Sequence, residues 1–436
     1  MKVEILGTVS YLGTCLYLGI CLCLVACILY LGHVMKKLLL GLALLGILPG
    51  WTSQKKVQHQ VVAPPNSSLA GLPFSPGILA DDFLFLSGSL GNVPGTTDID
   101  GGIEAQTRQT LDNLGRVLKA AGLDFSSVVS ANVYLSDARH FAGMNRVFRE
   151  YFPKDPPARA TVEGDIVFPQ ALVEIALVAA QKGVKKEIVL PKGWKQPGFP
   201  FSWGVLAGDT LFVSGMISID PATGRLLEGD TAGQTRSTLE GIGKILKAAG
   251  MDYSNVVSSR VYLNDSRNFA AMNEAYRPFF PKDSPARATV EARLMHVDWK
   301  IEIQCVAERT PKRVVAPATP RSKSPFSPGI QSGQRLYLSG MVGRGPEGWK
   351  GDIRSQTRQT LGNLKATLVQ EGLDFRHVVE ANVYLADARH YSAMNEVYRE
   401  LLPAPPPARS TVATRLMAPE ALVEIMMVAH SPDLGR

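Results

Sequence analysis

The chain has 436 residues, of which 45% are hydrophobic and 19% charged. That is enough apolar material for several cores and excludes a disordered protein. Forty Gly and 29 Pro without a short period exclude collagen-like and low-complexity classes. The formal net charge is +7, and most of it sits in residues 1–56, where Lys2, Lys36, Lys37, Lys55 and Lys56 face only Glu4; the near-neutral remainder argues against a nucleic-acid partner.

Residues 1–56 form a hydrophobic leader with two blocks. From Ile5 to Val34 there is no Asp, Glu, Lys or Arg, a run longer than the roughly 20 residues that cross a bilayer. A second block starts at Met35-Lys36-Lys37, continues apolar from Leu38 to Leu48 and leaves through Pro49-Gly50-Trp51-Thr52-Ser53, the pattern of a secretory signal peptide. Two readings stay open. Either Met35 is the true start and the second block is a signal, or the first block is a transmembrane segment and the second a return or interfacial segment, so that the uncleaved leader ties the chain to the membrane. Both predict an extracytoplasmic location, periplasmic or secreted. Four of the five Cys lie in this leader and only Cys305 lies beyond it, so the body has no internal disulfide. Thiols inside an apolar run read as small hydrophobes rather than metal ligands.

The body is one unit repeated three times. Gln106-Thr107-Arg108-Gln109-Thr110-Leu111 returns at Gln234 to Leu239 and at Gln356 to Leu361; Val133-Tyr134-Leu135 returns at Val261 and Val383; Pro157-Ala158-Arg159 returns at Pro285 and Pro407. Polar, Lys-rich joins divide the body into domains 57–183, 184–311 and 312–436. In chain order each unit shows an apolar strand ending in Ser-Gly, a Gly- and Pro-rich loop, and a helix with apolar residues at helical spacing (Leu111, Leu114, Leu118) stopped by Gly122. A β-branched strand follows at Val128–Leu135, then a helix carrying Met144-Asn145, Phe148 and Tyr151, then two final strands. The order β-β-α-β-α-β-β predicts an α+β domain, two helices on one face of a mixed sheet. The other sheet face must also be buried, and the sheet of the neighbouring unit is the simplest cover.

No His recurs in all three units: His140 and His390 correspond, but the middle unit has Asn268. A triplicated Ser-His or Cys-His nucleophile is therefore disfavoured. There is no CxxC, HExxH or Walker loop, and neither a metal nor a cofactor is expected. What recurs is one Arg and one Glu separated by 15 residues: Arg159 and Glu174, Arg287 and Glu302, Arg409 and Glu424. They stand at the two ends of an expected hairpin. One reading is an Arg–Glu pair closing each pair of strands. The other is an Arg fork that holds a substrate carboxylate while Glu handles a water or a proton. Gln106-Thr107-Arg108 and its copies read as the first turn and polar face of a helix. Met144-Asn145, Met272-Asn273 and Met394-Asn395 read as helix packing with a local hydrogen bond, and the Val-Tyr-Leu tyrosines as core packing.

Taken together, Phe-Ser-x-Gly, the Ser-Gly strand end, Gln-Thr-Arg-x-Thr-Leu, Ala-Arg-x-Thr-Val and the final Val/Ile-Glu-Ile strand resemble the RidA/YjgF family, also called endoribonuclease L-PSP-like, over nearly all of residues 57–436. The resemblance implies three tandem chorismate-mutase-like domains. Members of the family form homotrimers with clefts between subunits, so three units in one chain imply an intramolecular pseudo-trimer whose domains pair with one another. It also implies an enamine/imine deaminase, a hydrolase converting 2-enamine and 2-imine acids to 2-keto acids and ammonia, with a small imino or keto acid as partner. Carried over, Arg159, Arg287 and Arg409 would hold the carboxylate, and Glu174, Glu302 and Glu424 would orient water. Gly88, Gly215 and Gly340 would line the site. Phe74, Phe201 and Phe326 stand where the family has its cleft aromatic, usually Tyr, and Thr161, Thr289 and Thr411 replace its Cys. The alternative is a carboxylate-binding protein without turnover; RNA cleavage is a weaker third reading.

Overall fold

The computed structural model describes residues 56–435 apart from 66, 68–70, 72, 318–323 and 350. In the first unit the strands are Gln60–Val62, Gly77–Ala80, Phe83–Ser89, Val128–Leu135, Ala158–Glu163 and Val173–Ala180, with helices Ile103–Ala120 and Phe141–Tyr151. The first strand was not foreseen from the sequence. It and its counterparts, Lys186–Val189 and Lys312–Val315, lie just after the polar joins and pair with Gly204–Ala207 and Gly329–Ser332.

Each helix follows from its residue spacing. Leu111, Leu114 and Leu118 share one buried stripe of the long helix, while Arg108 and Asp112 lie on its exposed side. Gly122 follows in the left-handed region at φ 71°, where a side chain would be strained and the helix therefore stops. Helix Phe141–Tyr151 is the crossover that lets Ala158–Glu163 run parallel to Val128–Leu135. The remaining pairings are antiparallel, so the sheet is mixed and the class is α+β, as expected. The other units repeat the same strand order.

Two kinds of core result. Between helices and sheet, each unit has its own, with Leu111, Leu118, Val133, Phe148 and Ile175 in the first. On the opposite sheet face, Ile78, Phe83 and Val129 cluster with Val205, Phe212 and Val257 and with Ile330, Tyr337 and Val379. The exposed face is thus covered by the other repeats. One strand also crosses units: Asp165–Ile166 of the first pairs with the edge strand Ala408–Ala413 of the third.

The expectation of a transmembrane, membrane-tied chain is corrected. Among the described residues no helix is long and apolar enough to cross a membrane, because each long helix carries one apolar stripe and one polar side. The leader segments on which that expectation rests, residues 1–55, lie outside the described residues.

Candidate active site

Arg159 and Glu174 do not face each other across a hairpin. Arg159 lies opposite Ala131 on one side of strand Val128–Leu135, and Glu174 lies opposite Tyr134 on its other side. The intervening strand keeps the two residues of one unit apart. The reason is burial: Val173–Ala180 is buried at every position, so it takes the sheet centre rather than pairing with the strand before it. The same separation holds in the other two units.

Each Arg faces the Glu of another unit rather than its own. Thr161 N–H donates to Glu302 Oε1 at 3.3 Å, Thr289 N–H to Glu424 Oε1 at 3.3 Å, and Thr411 N–H to Glu174 Oε1 at 3.1 Å. Three clefts follow: Arg159 with Glu302, Arg287 with Glu424, and Arg409 with Glu174. Gly215, Gly340 and Gly88 belong to them for a steric reason, since a Cβ at any of the three would overlap the Oε1 of the adjacent Glu. Thr161 and Phe201 line the first cleft, and Thr411 and Phe74 the third. The sequence-derived candidates are therefore brought together, but in an exchanged pairing.

Each guanidinium is held on both sides. Arg159 lies over Phe148 at 4.8 Å and Phe201 at 5.7 Å, Arg287 over Tyr276 at 4.8 Å and Phe326 at 5.5 Å, and Arg409 over Tyr398 at 4.7 Å and Phe74 at 5.6 Å, cation–π distances that fix its plane. Arg159 Nη2 donates to Asn145 Oδ1 and Arg287 Nη2 to Asn273 Oδ1, both at 2.7 Å. In the third cleft Asn395 Oδ1, Arg409 Nε and Nη1, and Thr411 Oγ1 are all buried without a hydrogen-bond partner. Polar atoms left in that condition are costly unless a ligand pairs with them. Asn145 and Asn273, read as helix packing with a local hydrogen bond, thus also orient the Arg of the first two clefts.

Burial governs the electrostatics. It pushes the carboxyls of Glu174, Glu302 and Glu424 up to about 8, against the opposing pull of the Thr N–H and the facing Arg. It also draws Arg159 and Arg287 below the ordinary guanidine range, though a guanidinium stays protonated near neutral pH. A carboxyl that titrates near neutrality beside a fixed cation can both accept and return a proton.

Six serines are absent from the sequence-derived candidates. Ser214 Oγ donates to Ser202 O and accepts from Arg159 N–H at 2.7 Å; Ser339 and Ser327 serve Arg287 in the same way, and Ser87 and Ser75 serve Arg409. Ser75, Ser202 and Ser327 each also take their backbone N–H to the Pro carbonyl two residues before the Arg of another unit. The available signal was their threefold recurrence beside Phe and Gly. Gln106 and Thr107, expected on a polar helix face, are instead buried. Gln106 clamps Gln170 O and Leu172 N–H, which fixes the turn before the Glu strand, and only Arg108 reaches the surface, paired with Glu150. The Val-Tyr-Leu tyrosines are packed together in a buried cluster, as expected.

Comparison with known proteins matches a family model described as Endoribonuclease L-PSP to residues 66–181, 195–309 and 316–431. A RutC family protein of Pyrococcus horikoshii is 42% identical over 122 residues, 28% of this chain and 97% of that protein. A 2-iminobutanoate/2-iminopropanoate deaminase of Homo sapiens is 40% identical over 119 residues, 27% of this chain and 87% of that protein. The crystal structure of the YjgF gene product from E. coli is 32% identical, covers 28% of this chain and 98% of its own, and superposes with a TM-score of 0.27.

Proposed function

The chain belongs to the Endoribonuclease L-PSP family, and from that premise we propose that it hydrolyses reactive 2-enamine and 2-imine acids to 2-keto acids and ammonia. The observation that carries the proposal is the exchanged pairing: a buried Arg of one unit and a buried Glu of another share a cleft three times. The similarity to the human deaminase supports the same reaction.

In this reading the Arg fork holds the substrate carboxylate by charge-assisted hydrogen bonds, and the unpartnered donors of Arg409 are ready to do so. Water adds to C2 while the Glu carboxylate takes its proton. That proton passes to the nitrogen and gives a carbinolamine. The hydroxyl proton then follows the same route, from oxygen to the Glu carboxylate to nitrogen; the C–N bond breaks, ammonia leaves, the keto group forms and the carboxylate is regenerated. The cyclic order of contacts, first unit to second, second to third and third to first, supports an assembly in which the three units close as an intramolecular pseudo-trimer. The basic start, apolar middle and polar exit of residues 35–53 support export from the cytoplasm as part of the proposal; N-terminal sequencing of the mature chain tests that point.

The test of activity supplies the full chain with an amino-acid-derived imine made in situ and follows keto-acid release. The expected result is faster hydrolysis than in buffer, lost in a folded Arg159→Ala/Arg287→Ala/Arg409→Ala variant. No acceleration with several imino acids would overturn the proposal and leave a carboxylate-binding protein.

A further inference from the structure

The three clefts repeat their Arg, Thr and Glu but differ in what surrounds them. We propose, building on the deaminase reading, that they are not equivalent: the Arg159–Glu302 cleft takes 2-imino acids with an aromatic or bulky apolar side chain, and Trp299 selects them.

The register makes the comparison direct. Three residues before each catalytic Glu stand Ala171, Trp299 and Ala421, and two residues after each cleft Phe stand Pro76, Trp203 and Pro328. Only the middle unit carries tryptophan at either place, and both of its tryptophans line the Arg159–Glu302 cleft. Trp203 is locked: its Nε1–H donates to Lys195 O at 2.8 Å, and its ring meets Phe201 edge-on at 5.5 Å. Trp299 is only partly buried, so it keeps a face for a ligand. Phe199 extends the apolar wall outward. It is 47% exposed and packs at 5.0 Å against Phe141 of the first unit. A large aromatic left at the mouth of a cleft gains burial when an apolar group enters. The cleft volume is about 410 Å³, within the range of small-molecule sites.

The Arg409–Glu174 cleft is built differently. Its volume is about 1100 Å³, and its walls include Asn113, Arg116 and Asp98, of which Arg116 and Asp98 are exposed. Exposed Lys195 and Gln196 also stand at the first cleft, and Phe168 and Tyr391 line the third, but of the two only the smaller one carries two tryptophans and Phe199 on its wall, so a bulky apolar group would bury more surface there.

Single-cleft variants of the full chain test this. Arg287→Ala/Arg409→Ala keeps only the Arg159–Glu302 cleft, and Arg159→Ala/Arg287→Ala keeps only the Arg409–Glu174 cleft. The readout is kcat/KM for the imine of phenylalanine against that of alanine, both made in situ. The expected ratio is at least about 10-fold higher in the first variant, the scale on which apolar pockets discriminate, and Trp299→Ala should erase most of that difference. Equal ratios in the two variants would overturn the inference. Because an Arg variant can fail to fold, calorimetric titration of phenylpyruvate and pyruvate onto the unsubstituted chain and onto Trp299→Ala gives a second reading that needs no turnover. A preference for phenylpyruvate that Trp299→Ala removes supports the inference even if no imine is hydrolysed and the deaminase reading falls. Equal affinities of the unsubstituted chain for the two acids would sink it.

Discussion

The clefts and the interior shared by the three sheets follow opposite rules. In the clefts the same residues return three times with the same contacts: Arg over an aromatic ring, Thr N–H on Glu, Gly against the carboxylate. In the shared interior, equivalent places differ. Asn132, Arg260 and Asn382 share one position, Ser130, Ser258 and Glu380 another, and Phe83, Thr210 and Arg335 a third. Each buried cation there meets a carboxylate at a non-equivalent place in another unit. Arg260 Nη2 meets Glu380 Oε1 at 3.1 Å and its Nη1 meets Gln304 Oε1 at 3.1 Å. Arg335 lies 3.4 Å from Glu308, which also accepts the Tyr337 hydroxyl, and stands over the Phe83 ring at 4.8 Å. A lone buried charge would be costly, so each charge depends on a unit that differs from its own. The comparison separates two demands. A site is constrained by what it must bind, whereas an interior need only fill space and pair its polar atoms, and covalent linkage of three units lets each copy drift as long as its neighbour compensates.

The largest effect should fall on the repeated element. Changing Glu174, Glu302 and Glu424 to Gln keeps shape and removes the base, so kcat/KM for imine hydrolysis should fall about 10²–10⁴-fold, measured beside an unchanged denaturation midpoint at acid pH. The same carboxyls set a pH dependence. Their folded-state value near 8 lies above the ordinary 4.5, so folding favours the protonated form. Their contribution to stability is complete below about pH 4.5 and is lost as pH rises through about 8. Urea midpoints should decline over that window and decline less in the Gln variant; a midpoint that rises instead would break the electrostatic account.

The divergent interior should respond through stability alone. Arg260→Ala leaves Glu380 buried without its cation and should cost about 3–5 kcal/mol, read from urea denaturation. Ser214→Ala strips a partner from Arg159 N–H at the edge of the first cleft and should cost about 1–3 kcal/mol, with the larger fractional loss in hydrolysis at the Arg159–Glu302 cleft. Arg358→Ala removes a pair with Glu400 whose side chains are both about half exposed, and should leave the urea midpoint almost unchanged, since solvent screens such a pair. An Arg358 effect as large as that of Arg260 would erase the distinction between surface and interior pairs.

The sequence alone determined the triplication and the α+β order, and it nominated the Arg, Glu, Gly, Phe and Thr of the clefts without their serines and asparagines. Period, helical spacing and strand patterning are local properties, and internal copies show which residues return. It could not pair the residues. Arg159 and Glu174 stand 15 apart, but the residues that share their clefts lie 143 and 235 residues away, Glu302 for Arg159 and Arg409 for Glu174, each in another unit. Only the tertiary structure decided that exchange, because the fully buried Glu strand takes the sheet centre and because each sheet must cover its second face with a neighbour. The serines that join Arg to another unit and the Arg260–Glu380 pair were hidden for the same reason. A hydroxyl or a charge in a strand reads as an ordinary surface residue until the chain that covers it is in place.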